Sequence, residues 1–382
     1  MAIASSVFLC LFFALAYLHA QLAGGCYTSI FSFGDSLADT GNLLLVTGSD
    51  GTSVGRLPYG ETFFHRPTGR FSDGRLMIDF IAQAMGLPFV RPYLAGGVGG
   101  GGFRHGVNFA VGGATALDAH YFESMGMEIK GANYSLSVQL EWFRRLLPSL
   151  CSSASGCAAL MSDALFLVGE IGGNDYNGPF FAGRSLSEIT AMVPDVVRAI
   201  TSAVDELIGM GARTMVVPGN FPIGCSAAYL SLFQNEKRER TGCIKWLNDF
   251  AEYHNRLLEE ELRQRRRRHP GLTISYADYY QAAMEIYAAP QDHGFGESPL
   301  AACCGSGGGD YNLNSTAQCG EEGSNVCSDP SRQISWDGLH LTEAAYRVTA
   351  GGLLGRHITP SIARDCPELN WTVPGDGYVS SS

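Results

Sequence analysis

Hydrophobic positions along the chain fall into two kinds of run. Short continuous apolar stretches occur at Ser29 to Phe33, Gly106 to Val111, Ala164 to Val168, Thr214 to Pro218 and Leu272 to Tyr276. Runs of this length, rich in β-branched and aromatic residues, predict strands buried on both faces. Between them, Gly74 to Met85, Leu136 to Leu147, Leu186 to Met210, Ile244 to Arg263 and Thr342 to Leu354 carry apolar residues at helical spacing. Strands alternating with helices in this way imply an α/β fold with a parallel sheet covered on both faces. No linker or internal repeat interrupts the series, so residues 26–382 are expected to form one domain. The glycine patches Gly96 to Gly102 and Gly305 to Gly309 read as surface loops. The first spells G-x-G-x-x-G but lacks the strand before and helix after it that dinucleotide binding requires.

The first 25 residues follow another pattern. Val7 to Ala20 is an apolar run too short for a membrane span and is followed by small residues. A secretory signal peptide over residues 1–25 is expected, with cleavage between 20 and 25, although its start carries no Lys or Arg. No other run is long enough to be a transmembrane segment. Of 11 cysteines, Cys10 lies in this leader, and the even remainder suits disulfides in an oxidising compartment. Asn133, Asn314 and Asn370 each open an N-x-S/T sequon. The expected location is therefore extracellular or the cell wall, with vacuole or Golgi equally open to a secretory protein. The net charge of −11 disfavours nucleic acid. Arg265 to Arg268 reads as the solvated cationic end of a helix. Without Cys-x-x-Cys pairs or His-Glu-x-x-His, no metal is expected.

Candidate chemistry gathers where strands end. Thr28 to Phe33 runs into Gly34-Asp35-Ser36, so Ser36 sits at the carboxyl end of a strand, where a helix start is expected to bring free amides beside it. On this stretch alone Ser36 is better read as a helix cap, a reading that the distant partners below reverse. Gly112 and Gly113 follow a second strand and offer bare backbone amides. Gly172-Gly173-Asn174-Asp175 ends a third with a turn carrying an amide side chain. Near the C-terminus, Asp337 and His340 stand three apart, before a helix opened by Thr342. Tyr176, Phe180 and Phe181 are candidates for lining an acyl or alcohol pocket.

Gly34-Asp35-Ser36-Leu37 with Asp39-Thr40-Gly41-Asn42, Asn108 to Ala114, Gly172 to Asp175 and Asp337 to Glu343 resemble, in this order, the four sequence blocks of the plant GDSL esterase/lipase family within the SGNH hydrolases. The resemblance runs from about Ser29 to Ala350. It implies a three-layer α/β/α sandwich, flavodoxin-like, with a five-stranded parallel sheet and the site at its C-terminal edge. It also implies Ser36 as nucleophile, His340 as base and Asp337 as the acid that orients the base. The oxyanion donors would be the N–H of Ser36, the N–H of Gly112 and the side chain of Asn174, with Gly113 in place of Gly112 if the register is one residue off. The expected function is a monomeric, cofactor-free serine carboxylic-ester hydrolase acting on short-chain, acetyl-type esters of a plant polysaccharide or small metabolite. An acyltransferase passing the same acyl group to another alcohol is the first alternative, and a non-catalytic glycan-binding wall protein the second.

Overall fold

A computed structural model describes residues 27–96, 102–314 and 316–365. The leader, Cys26, Cys366, Asn370 and most of the Gly96 to Gly102 patch lie outside the described residues. Strands β1 (Ser29–Gly34), β2 (Gly106–Asn108), β3 (Ala164–Glu170), β4 (Thr214–Pro218) and β5 (Thr273–Ala277) are parallel in the order β2-β1-β3-β4-β5. The five apolar runs thus become the five parallel strands. β2 ends earlier than its run, yet Phe109 and Val111 still donate to β1, through Ser32 and Gly34 carbonyls. Strands β6 (Cys304–Gly305) and β7 (Asn325–Val326) make a separate antiparallel ribbon. β8 (Ile358–Thr359) adds a short antiparallel strand beside β5, so the sheet has a sixth member that apolar runs did not announce.

Alternation along each strand sends side chains to opposite faces, and both faces are covered. Phe31, Phe33 and Phe166 face one side and pack with Phe109 and Phe143, at ring separations of 5.1–5.9 Å. Helices α2 (Leu136–Leu150), α3 (Gly173–Phe181), α4 (Leu186–Gly209) and α5 (Lys245–Arg268) cover that face. Ile30, Leu165, Leu167 and Val216 face the other side, under α1 (Met77–Ala84), α6 (Tyr279–Ala288) and α7 (Glu343–Gly352). Each of these fully buried side chains contributes about 1.5–3 kcal/mol. The result is the expected α/β/α sandwich.

Two local readings need correction. The helix α5 extends through Arg268, and Arg265 is not solvated: it is 7% exposed and donates to Asp205 from two nitrogens, at 2.9 and 2.8 Å. Tyr176 and Phe180 are core residues, 1% and 3% exposed, while Phe181 lies on the surface, so none of the three lines the cavity at the sheet edge.

Candidate active site

Strand β1 delivers Ser36 by an abrupt exit. Gly34 has φ 147° and a side chain there would press on the Glu170 backbone, so glycine alone suits the position. Asp35 N–H then bonds the Glu170 carbonyl at 2.9 Å, and one tight turn follows, closed by Ala38 and Asp39 N–H groups on the Asp35 carbonyl. The helix expected at Ser36 does not start there; helical backbone begins only at Asn42. Asp39 has taken over the organising role. Its carboxylate accepts from the N–H groups of Gly41, Asn42, Leu43 and Gly112, at 2.6–2.9 Å. Asn42 reinforces the junction by donating to the Asn108 and Ala110 carbonyls, both at 2.8 Å. The first two sequence blocks are therefore one unit, bound across the sheet edge.

This bonding corrects the Gly112 assignment. Its N–H is committed to the buried Asp39 carboxylate, at 2.8 Å. Gly113, at φ 83°, and Ser36 have N–H groups without an acceptor among the described residues, and both line the cavity. Asn174 stands at the start of α3, whose Asp175 accepts from Ala116 and Leu117 N–H at 2.8 and 2.9 Å and so ties that helix to the loop of Gly113. Asn174 Nδ2 rests 3.0 Å from the Ala114 carbonyl and 3.2 Å from Asp35 Oδ2.

His340 and Asp337 arrive from the far end of the chain. Ser36 Oγ lies 2.7 Å from His340 Nε2, and His340 Nδ1 lies 2.7 Å from Asp337 Oδ2. Asp337 also accepts from Leu339 and His340 N–H and, at 2.9 Å, from the Tyr59 hydroxyl. Burial pushes its carboxyl up, but the imidazole and these donors outweigh that and hold it at about 2. An ionised carboxylate only accepts, so Nδ1 carries the proton and Nε2 is free to take one from Ser36. The Phe71 ring lies 4.7 Å from the imidazole and backs it. Thr342 caps α7 by accepting from Ala345 N–H, as its position suggested. Disulfides Cys303–Cys327 and Cys304–Cys319 brace the loops beneath Trp336; Cys151–Cys157 and Cys225–Cys243 complete the described pairs.

Sequence reading missed Tyr59, Phe71, Asp35 and Asp39, along with Glu170, Asn177 and Tyr229 of the cavity wall. Burial raises Asp35 to about 7 and pushes Glu170 well up. Only Asp35 and Asp39 stood in a quoted block, where their spacing from Ser36 was the available signal. The cavity holds about 520 Å³. Its lining includes the aromatic side chains of Phe221, Tyr279 and Tyr287 and the polar ones of Asp50, Arg56, Gln318 and Glu321. Among the described residues no cluster suits a metal ion, and no helix is long and apolar enough to cross a membrane. Asn133 and Asn314 are both exposed.

A parallel α/β sandwich with serine, histidine and aspartate aligned at its carboxyl edge is the architecture of a serine-hydrolase class. Comparison with known proteins narrows this: the profile of the GDSL-like lipase/acylhydrolase family matches residues 30–353. A GDSL esterase/lipase of Arabidopsis thaliana is 51% identical over 89% of this chain and 87% of its own. A second from that plant is 46% identical over 98% of both chains. The sinapine esterase of Brassica napus is 50% identical over 89% of this chain and 88% of its own. The chain belongs to the GDSL esterase/lipase family and is a carboxylic ester hydrolase.

Proposed function

We propose that this hydrolase works through an acyl-enzyme on Ser36, with His340 as general base and then general acid, and Asp337 orienting it. The 2.7 Å contact between Ser36 Oγ and His340 Nε2 carries the reading. His340 takes the serine proton as Oγ attacks the ester carbonyl, and returns it to the leaving alcohol. The oxyanion is met by the N–H groups of Ser36 and Gly113, and by the Asn174 N–H that rests on Asp35 in the free site. Water then repeats the sequence to release the acid.

At the His340 end of the site the surroundings include polar groups: Tyr59, which bonds Asp337, feels the charge of Glu321, and Gly320, next to Glu321, lies against Arg56. Because the leaving alcohol must reach His340, a hydrophilic alcohol such as a sugar or small metabolite suits that end. Short acyl groups are accepted, and the remaining volume admits larger ones. One relative's name places sinapine in the substrate panel. We further propose a secreted, glycosylated monomer, released from its leader as one domain; four disulfides and two exposed sequons support this.

Hydrolysis of p-nitrophenyl acetate tests the chemistry. Ser36→Ala and His340→Ala are expected to remove turnover, and Asn174→Ala to lower kcat about 100- to 1000-fold. Unchanged rates in folded variants would overturn the assignment.

A further inference from the structure

An oxyanion donor made from an asparagine has a weakness. Turning the amide by half a rotation exchanges N–H for C=O at almost no steric cost, and would present the oxyanion with a lone pair. Something must hold Asn174 in one orientation. On one side the Ala114 carbonyl, which can only accept, lies 3.0 Å from Nδ2. On the other, Asn174 Oδ1 accepts from Asn177 Nδ2 at 3.2 Å. Asn177 Oδ1 in turn accepts from the Tyr229 hydroxyl at 2.7 Å; a hydroxyl can donate or accept, so the polarity is set at the Ala114 carbonyl and the Tyr229 bond reinforces it.

Each member of this chain is itself fixed. Asn174 and Asn177 stand three apart on α3 and so share a helix face. Tyr229 is fully buried, with its ring between Phe180, Phe181 and Phe233. We propose that Tyr229 and Asn177 are positioning residues that set the amide of Asn174 with its N–H groups toward the oxyanion. The inference rests on the reading of Asn174 as an oxyanion donor. Flipping Asn174 sets its oxygen against the Ala114 carbonyl and its nitrogen against Asn177 Nδ2, and flipping Asn177 sets its oxygen against Asn174 Oδ1, so the two amides hold a single polarity together.

The alternative is that Asn177 and Tyr229, which also line the cavity, merely touch substrate or support the fold. Kinetics of p-nitrophenyl acetate hydrolysis separate these. Tyr229→Phe and Asn177→Ala are expected to lower kcat about tenfold with KM unchanged. Asn177→Asp matches asparagine in shape but offers only acceptors to Asn174 Oδ1, and is expected to lower kcat further than Asn177→Ala. In an Asn174→Ala background, Tyr229→Phe and Asn177→Ala should cost nothing more in kcat, because the group they orient is gone. Thermal melts of every variant identify any that has failed to fold. Equal losses in both backgrounds, or a rise in KM at constant kcat, would overturn the positioning role. If Asn174→Ala itself kept the wild-type kcat, the oxyanion assignment beneath it would fall instead.

Discussion

The two halves of the site are built by different means. The nucleophile half is made of backbone held by buried carboxylates. Asp39, in the turn after β1, gathers four amides, and Asp175, in the first turn of α3, gathers two. The acid–base half lies on irregular chain between α6 and α7. There two disulfides, Trp336 and the rings of Phe71 and Tyr59 do the holding. The 2.7 Å contact of Ser36 with His340 joins them. The difference teaches that the Ser36 and Gly113 backbone is tied to its neighbours by buried hydrogen bonds, whereas the alignment of His340 rests on covalently braced loops.

Three perturbations bear on that contrast. Asp39→Ala leaves four amides without their acceptor, at about 1–3 kcal/mol for each buried group. Loss of most of the unfolding free energy is expected by denaturant titration, with Asp39→Asn milder because it keeps one acceptor oxygen. Removing the Cys304–Cys319 bridge with paired serines opens a loop closed over 15 residues, a loss of about 3 kcal/mol. Here activity should disappear on heating before the far-ultraviolet circular dichroism of the sheet and helices changes. Coincident transitions would mean that the loops and sheet unfold as one.

Titration gives the two halves opposite signs. On the nucleophile half, burial raises Asp35 and Asp175 to about 7 and Asp39 to about 6, from 3.8. The folded chain keeps protons there that the unfolded chain has lost. This contribution to stability is present below about pH 4 and is lost as pH rises through 6 to 7. Asp337, held at about 2, contributes above about pH 4 and loses that contribution as pH falls toward 2. Melting temperature should therefore be highest near pH 4–5 and decline toward pH 8, and a flat profile over that interval would contradict the raised carboxyls.

How much of this was legible beforehand follows the same division. Strands β1, β3, β4 and β5 were readable because burial on both faces makes them continuous apolar runs. Helix α3 was not, since it opens on Gly173 and contains Pro179, which local propensity reads as a turn. The sixth strand, Ile358–Thr359, is too short to show as an apolar run. Ser36, Asp337, His340 and Asn174 stood out as polar residues at strand ends. The choice between the Gly112 and Gly113 amides was left open by sequence because the bond that occupies Gly112 N–H, to Asp39, spans 73 positions. Tyr59 reaches Asp337 across 278 positions, and no local pattern carries such a pairing.

The most direct test of the account is to acid-quench the purified protein during turnover of p-nitrophenyl acetate and measure its mass, then map the peptides. One acetyl group on Ser36, absent from Ser36→Ala, is the predicted result. Turnover with no acyl group on the Ser36 peptide, or with the label on another residue, would contradict it.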